Sequence, residues 1–258
     1  MMELEPVELF VEERGQGTPV VLLHGFPLDH TIWTPLIPHL ENKVRLIMPD
    51  MRGYGQSPNK DEIHSMRLLA TDIAALLDRL DLEKVILCGH SMGGYVALSF
   101  AHAYPNRLMG LGLISTQADA DTPERRQARL ITAREIQRRG VKYIADGMAS
   151  KLTKDTDLQK NLHAIMMRNK SKAIIASLKG MAERPDANPW LSGIKNPALI
   201  VAGTEDQIIP IDRAHNFTQM ISKSWVVEIQ QAGHVPMMEA PSQVADALQQ
   251  LIAAASCC

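Results

Sequence analysis

The chain has 258 residues, enough to bury a large core as one α/β domain or as a domain with an insertion. Its formal charge of −2, with 22% charged and 45% hydrophobic residues, is ordinary for a globular protein and gives no excess of cations for nucleic acid. The three cysteines, Cys88 and the terminal pair Cys257-Cys258, form no spaced disulfide framework. The N-terminus, Met1-Met2-Glu3-Leu4-Glu5, lacks the basic and apolar regions of a signal peptide, and no apolar run is long enough to cross a membrane. The expectation is a cytoplasmic protein.

Residues 4–13 alternate loosely (Val7, Leu9, Val11) and predict an edge hairpin strand. After the turn Gly15–Pro19, Val20-Val21-Leu22-Leu23 predicts a buried strand ending in His24-Gly25-Phe26-Pro27. Val44–Met48 predicts the next strand. The glycine-rich loop Asp50–Ser57 follows it, without the Gly-Lys-Ser/Thr ending of a phosphate loop, and Asp50 and Arg52 are expected to brace it. Ser65 caps a helix whose face is Met66, Leu69, Ala70, Ile73, Leu76, Leu77 and Leu80.

Lys84–Cys88 is short, apolar and β-branched, as in a buried parallel strand. It runs into Gly89-His90-Ser91-Met92-Gly93, after which Val96, Ala97, Phe100 and Ala101 recur at helical spacing. Strand, G-x-S-x-G turn and helix is the context of a nucleophile elbow, which exposes the Ser91 hydroxyl and leaves the Met92 N–H free at a helix N-terminus. The loop from Gly25 to His30 belongs at the same sheet edge, where the Phe26 N–H can be a second donor to a developing oxyanion. Cys88 lies inside its strand and is a poor nucleophile candidate. Leu108–Ile114 continues a strand–helix alternation that implies a parallel sheet covered on both faces.

Residues 117–190 break that alternation with helical stretches only, one of them opened by Thr122-Pro123-Glu124. From 119 to 186 there are 15 Lys/Arg against 9 Asp/Glu, a formal +6, while the remainder is −8. Part of this excess is Arg125, Arg126, Arg129, Arg134, Arg138 and Arg139. They suit a solvated helix face, or else a surface for an acidic substrate or carrier protein. Strands then resume at Pro197–Ala202 and Trp225–Ile229, followed respectively by Gly203-Thr204-Glu205-Asp206 and Gly233-His234. Pro241 opens a last helix.

Ser91, Asp206 and His234 each follow a strand, in that chain order. A serine hydroxyl needs a base to attack an ester at neutral pH, a histidine can take and return that proton, and a carboxylate can fix the imidazole tautomer. On His24-Gly25-Phe26-Pro27, the Asp50–Ser57 loop, Gly89–Gly94, Gly203–Asp206 and Gly233-His234, the chain resembles the α/β-hydrolase superfamily over essentially its full length. Within it the chain is similar to small bacterial carboxylesterases, 3-oxoadipate enol-lactonases and pimeloyl carrier-protein methyl ester esterases.

The resemblance implies an α/β-hydrolase fold with a mostly parallel eight-stranded sheet. Residues 1–116 and 191–258 would form its core, and residues 117–190 a helical cap inserted after the sixth strand. It implies Ser91, Asp206 and His234 as the triad, Phe26 and Met92 as oxyanion donors, and no cofactor or metal. An Asp at position 91 would have pointed instead to a dehalogenase or epoxide hydrolase. The expected activity is hydrolysis of small esters with short-to-medium acyl chains. Met148, Met166, Met167 and Met181, with Met237-Met238 after the histidine, are candidate pocket residues because methionine adapts to varied apolar shapes. Lactone opening, thioester cleavage and cofactor-free perhydrolysis or haloperoxidase chemistry suit the same triad, and a slow-turnover ligand sensor is a non-enzymatic alternative. The sequence leaves oligomeric state open.

Overall fold

The computed structural model describes residues 5–256, so Cys257 and Cys258 and residues 1–4 lie outside the description. The strands are β1 (Val11–Arg14), β2 (Pro19–Leu23), β3 (Arg45–Pro49), β4 (Val85–His90), β5 (Leu108–Ile114), β6 (Ala198–Gly203) and β7 (Ser224–Ile229). They form one sheet in the order β1-β3-β2-β4-β5-β6-β7, parallel except for β1 against β3.

Three expectations need correction. The sheet has seven strands among the described residues rather than eight, and the helical segment follows the fifth strand rather than the sixth. Ahead of β1 the backbone finds side-chain partners: the Val7 N–H donates to Asp72 Oδ1 and the Phe10 N–H to Ser57 Oγ. Nor is β1 a hairpin partner of β2, because it pairs with β3 (Val11 opposite Pro49), which lies between them.

Alternation along the strands sends side chains to two cores. Val21, Leu23, Val85 and Leu87 pack into one, with α2 (Met66–Arg79) and α3 (Met92–Ala103). Val20, Leu22, Ile86 and Cys88 pack into the other, with α1 (Ile37–Leu40) and the final helix. Ser65 caps α2 by accepting from the Leu68 N–H. Arg52, buried in the loop after β3, donates from Nε to Asp72 Oδ2 at 2.8 Å and from Nη2 to Asp72 Oδ1 at 2.6 Å, fixing that loop to α2.

Between β5 and β6 the chain forms α4 (Pro123–Arg139), α5 (Lys142–Leu152), α6 (Thr156–Arg168), α7 (Ser171–Ala182) and the short α8 (Asn188–Leu191). Thr122 caps α4, accepting from the Arg125 N–H, with Pro123 at its first position. Polar contacts tie these helices to the loops of the sheet: Asn169 accepts from the Gly55 N–H and donates to the Pro27 carbonyl, and Arg168 pairs with Asp29 at 2.8 Å. After β6 come α9 (Asp212–Met220), β7, α10 (Pro236–Glu239) and α11 (Pro241–Ser256). In α11, Val244, Leu248 and Leu251 are buried and Ile252 is half-buried.

Candidate active site

Three strand ends converge. At the end of β4, Ser91 has φ +51° and ψ −111°, a conformation a side-chain-bearing residue rarely adopts. The tight turn requires bare backbone on both sides: a Cβ on Gly89 would meet the Gly93 carbonyl oxygen at 2.2 Å, and one on Gly93 would meet the Leu23 oxygen at 2.4 Å. The turn is held from the next strand, where the Ser91 N–H donates to the Ile114 carbonyl and the Thr116 hydroxyl donates to the Ser91 carbonyl.

The loop after β7 brings His234 to Ser91, and the loop after β6 brings Asp206 to His234. His234 Nε2 is 2.9 Å from Ser91 Oγ, and His234 Nδ1 is 2.7 Å from Asp206 Oδ2. The side chains of His234 and Asp206 are 1% and 2% exposed, so the pair is sheltered, while Ser91 is partly open. Asp206 Oδ1 accepts the N–H groups of Ile208 and Ile209. Burial would raise the Asp206 pKa, but the adjoining His234 and those N–H groups outweigh it and hold the carboxyl below its ordinary value. An ionised Asp206 accepts from Nδ1–H, which leaves the Nε2 lone pair toward Ser91.

Met92 follows Ser91, and Phe26 follows Gly25, which lies against Ser91. Among the described residues neither backbone N–H has a protein hydrogen-bond partner. Met92 is the first residue of α3, where an N–H has no intrahelical acceptor. A cavity of about 410 Å³ opens beside Phe26 and Ile208, with Ile144, Met148 and Leu178 among its apolar walls and Arg125, Arg129 and Lys151 among its polar ones.

Of the pocket candidates, only Met148 lines that cavity. Met166 and Met237 are fully buried in the sheet-side core, Met181 is buried in the other core and receives Arg129 Nη1 at 3.4 Å, and Met167 is 43% exposed. Met238 packs partly buried against the core. Methionine's adaptability serves core packing at these positions. Burial pushes the Cys88 thiol up to about 12, which leaves it no thiolate character.

Two residues that shape the site were not singled out from the sequence. His90 Nε2 is 2.7 Å from the His234 carbonyl, and burial, then the neighbouring His234, push its pKa down to about 3; it is therefore a neutral donor. Glu239 accepts the Gly233 N–H at 2.8 Å and the Thr153 hydroxyl at 2.6 Å, while the His234 N–H donates to the Leu152 carbonyl at 2.8 Å. The histidine loop is thus fastened to the end of α5. The adjacency of His90 to Ser91 was the one available hint.

Asp29, His30 and Asp50 bring potential cation ligands within 4.8 Å of one another. Their atoms already have protein partners: Asp50 Oδ1 accepts from His30 Nδ1 and N–H, Asp50 Oδ2 from the Gln56 N–H, and Asp29 from Thr31 and Arg168. The group braces loops. Among the described residues no helix is long and apolar enough to cross a membrane.

A family model described as the alpha/beta hydrolase fold matches residues 18–241. The chain is 31% identical over 252 residues to the AB hydrolase superfamily protein YisY of Bacillus subtilis (strain 168), covering 93% of each. It is 26% identical over 254 residues to a pimeloyl-[acyl-carrier protein] methyl ester esterase of Aeromonas hydrophila, covering 94% of this chain and 98% of that one. A thermophilic esterase from Thermogutta terrifontis, solved with malate bound, superposes with a TM-score of 0.93 at 36% identity, covering 96% of this chain and 94% of the other.

Proposed function

The chain belongs to the α/β-hydrolase family, and from that premise we propose that it is a serine hydrolase of small carboxylic esters working through an acyl-enzyme. The observation that carries this reading is the unbroken chain from Ser91 Oγ through His234 to Asp206, at 2.9 and 2.7 Å, beside two unpartnered backbone N–H groups. Likeness to an esterase and to a methyl ester esterase supports an ester as the substrate.

Ser91 Oγ attacks the carbonyl carbon as His234 Nε2 takes its proton. Asp206 keeps the proton on Nδ1 and stabilises the imidazolium that forms. Charge collects on the former carbonyl oxygen, where the N–H groups of Phe26 and Met92 and the α3 dipole meet it, each such donor contributing on the order of 10²–10³ in rate. The alcohol leaves with the proton from His234, and the acyl group stays on Ser91. Water then attacks by the same route in reverse, releasing the acid. No step calls for a cofactor. The helices of residues 117–190 act as a cap whose underside walls the 410 Å³ cavity, a size suited to short-to-medium acyl chains.

Stopped-flow hydrolysis of p-nitrophenyl acetate and butyrate tests this. The wild type should show a nitrophenolate burst followed by steady turnover, and Ser91→Ala should lose both, a loss on the order of 10⁶ by comparison with other serine triads. Near-full activity in Ser91→Ala would overturn the assignment. A burst with almost no turnover would favour a sensor. No reaction with either ester would turn the search to lactones, thioesters or peroxide chemistry.

A further inference from the structure

The cavity beside Phe26 is charged on one side only. Arg125, Arg129 and Lys151 line it, and among the described residues no Asp or Glu does. Behind the two arginines lies Asp121, whose side chain is 1% exposed and serves three guanidinium groups: Arg129, Arg184 at 2.7 Å and Arg125 at 3.5 Å. Burial would raise the Asp121 pKa, but Arg129 and Arg184 outweigh it and hold the carboxyl below its ordinary value, so it is one full negative charge shared three ways. Lys151 has no protein partner among the described residues. Three guanidinium groups share that one carboxylate and Lys151 has none, so among the described residues the cavity wall carries a net positive charge.

This arrangement separates the six arginines of α4. Arg138 and Arg139 point to Glu135 on their own helix and are 76% and 60% exposed. Arg125 and Arg129, one turn apart, turn instead toward Asp121 and the cavity. Most of the remaining wall is apolar, through Ile144, Met148 and Leu178, and it includes Phe26, next to the Gly25 that lies against Ser91, and Ile208, whose N–H donates to Asp206. A guest that satisfies both parts has an apolar stretch near the scissile bond and an anion beyond it. Arg129 spends its Nε and Nη2 on Asp121 and its Nη1 on Met181, so the planar fork left for a guest carboxylate is that of Arg125, beside the unpartnered Lys151.

We infer that this cavity receives the anionic end of the substrate, and that the ester hydrolysed here is a carboxylate-bearing one, such as the monoester of a dicarboxylic acid. The inference rests on the serine-hydrolase reading for its chemistry: the ester C–O bond breaks, the alcohol leaves with a proton from His234, the monoacyl group passes to Ser91, and water releases the dicarboxylate. It does not rest on that reading for recognition, which is a property of the cavity.

The test is calorimetric binding of monomethyl adipate and dimethyl adipate to full-length Ser91→Ala protein, which cannot turn either over. The monoester should bind at least about tenfold more tightly than the diester, as expected for charge-assisted contacts in a partly enclosed site. Adding Arg125→Gln and Lys151→Gln together should lower that ratio by about tenfold, and Lys151→Gln alone, at an exposed and unpartnered position, keeps the test open if the pair fails to fold. Arg134→Gln, on the exposed part of α4, should leave the ratio within about twofold. Equal binding of the two esters overturns the inference, as does a loss in Arg134→Gln as large as in the cavity variants. Preferential binding of the monoester by a wild-type protein that hydrolyses no ester would overturn the serine-hydrolase reading and leave the anion site standing.

Discussion

At the scale of single residues, the site depends on atoms that are missing as much as on those present. Gly93 lies under 2.5 Å from the Leu23 oxygen once a Cβ is added, and the contact is backbone, which has little room to yield. Gly93→Ala should therefore lower the melting temperature sharply and abolish activity, whereas Gly147→Ala, where a Cβ meets nothing within 4 Å inside α5, should raise it by the equivalent of about 0.5–1 kcal/mol. Thermal unfolding of the two variants side by side checks this, and a Gly93→Ala protein as stable as wild type would contradict it. The residues at the elbow were legible because their chemistry and spacing are local. His90 was not, since a buried histidine donating to a carbonyl 144 positions away leaves no mark on its neighbours. The methionines misled for the opposite reason: one side chain suits both a core and a pocket, and at Met166, Met181 and Met237 the core took it.

At the scale of elements, the sheet positions the three site residues, and a helical segment fastens one of them. Glu239 in α10 bridges Gly233, next to His234, and Thr153, just past α5. Burial pushes its carboxyl above its ordinary value even against those hydrogen bonds, so the contact is held in a sheltered place. Removing the carboxyl in Glu239→Ala frees the Gly233 N–H and loosens the histidine. We expect kcat to fall about tenfold with little change in KM, as for one lost hydrogen bond to a partly buried donor, while Glu239→Gln, which keeps an acceptor for Gly233, should recover much of it. Unchanged kcat in Glu239→Ala would remove this role. Element types and limits were readable from periodicity and caps: Ser65 and Thr122 start their helices, and Pro123 sits at the first position of one. Pairing was not, because β1 and β2 are joined by a short turn yet flank β3, with Gly15 of that turn, at φ +74°, close against the backbone of Glu41 and Val44.

At the scale of the whole molecule, burial of polar groups sets the response to acid. His24, His64 and His90 are fully buried. Burial, with Arg52 adding to it, lowers His64 to about 4; burial and then His234 lower His90 to about 3; burial lowers His24 against the pull of Asp50. In the unfolded chain each titrates near its ordinary value of about 6.5. Between that pH and the folded values these histidines bind more protons in the unfolded state, so their contribution to stability falls as pH falls, with His64 and His90 each taking up about one proton on unfolding near pH 5. His30, where burial is outweighed by the hydrogen bond to Asp50 and its charge so that the pKa is raised, acts the other way. The lowered carboxyls of Asp50, Asp121 and Asp206 act in the same direction: their stabilisation is present above the ordinary carboxylate value and is lost as pH drops through the folded one. Urea midpoints should therefore decline steadily from pH 7 to pH 4.5, and a flat profile would contradict the burial of neutral histidines. The charge division between residues 119–186 and the rest was visible in the sequence, but which cations face a cavity was not, because that depends on Asp121 folding back beneath α4.

The central claim is that Ser91 Oγ becomes acylated. Quenching the reaction with p-nitrophenyl butyrate in acid at the end of the burst, followed by peptide mass mapping, tests it directly. One butyryl group on the peptide carrying Ser91, absent from Ser91→Ala, is the predicted result; an unmodified Ser91 during rapid turnover, or the acyl group on another residue, would contradict the account.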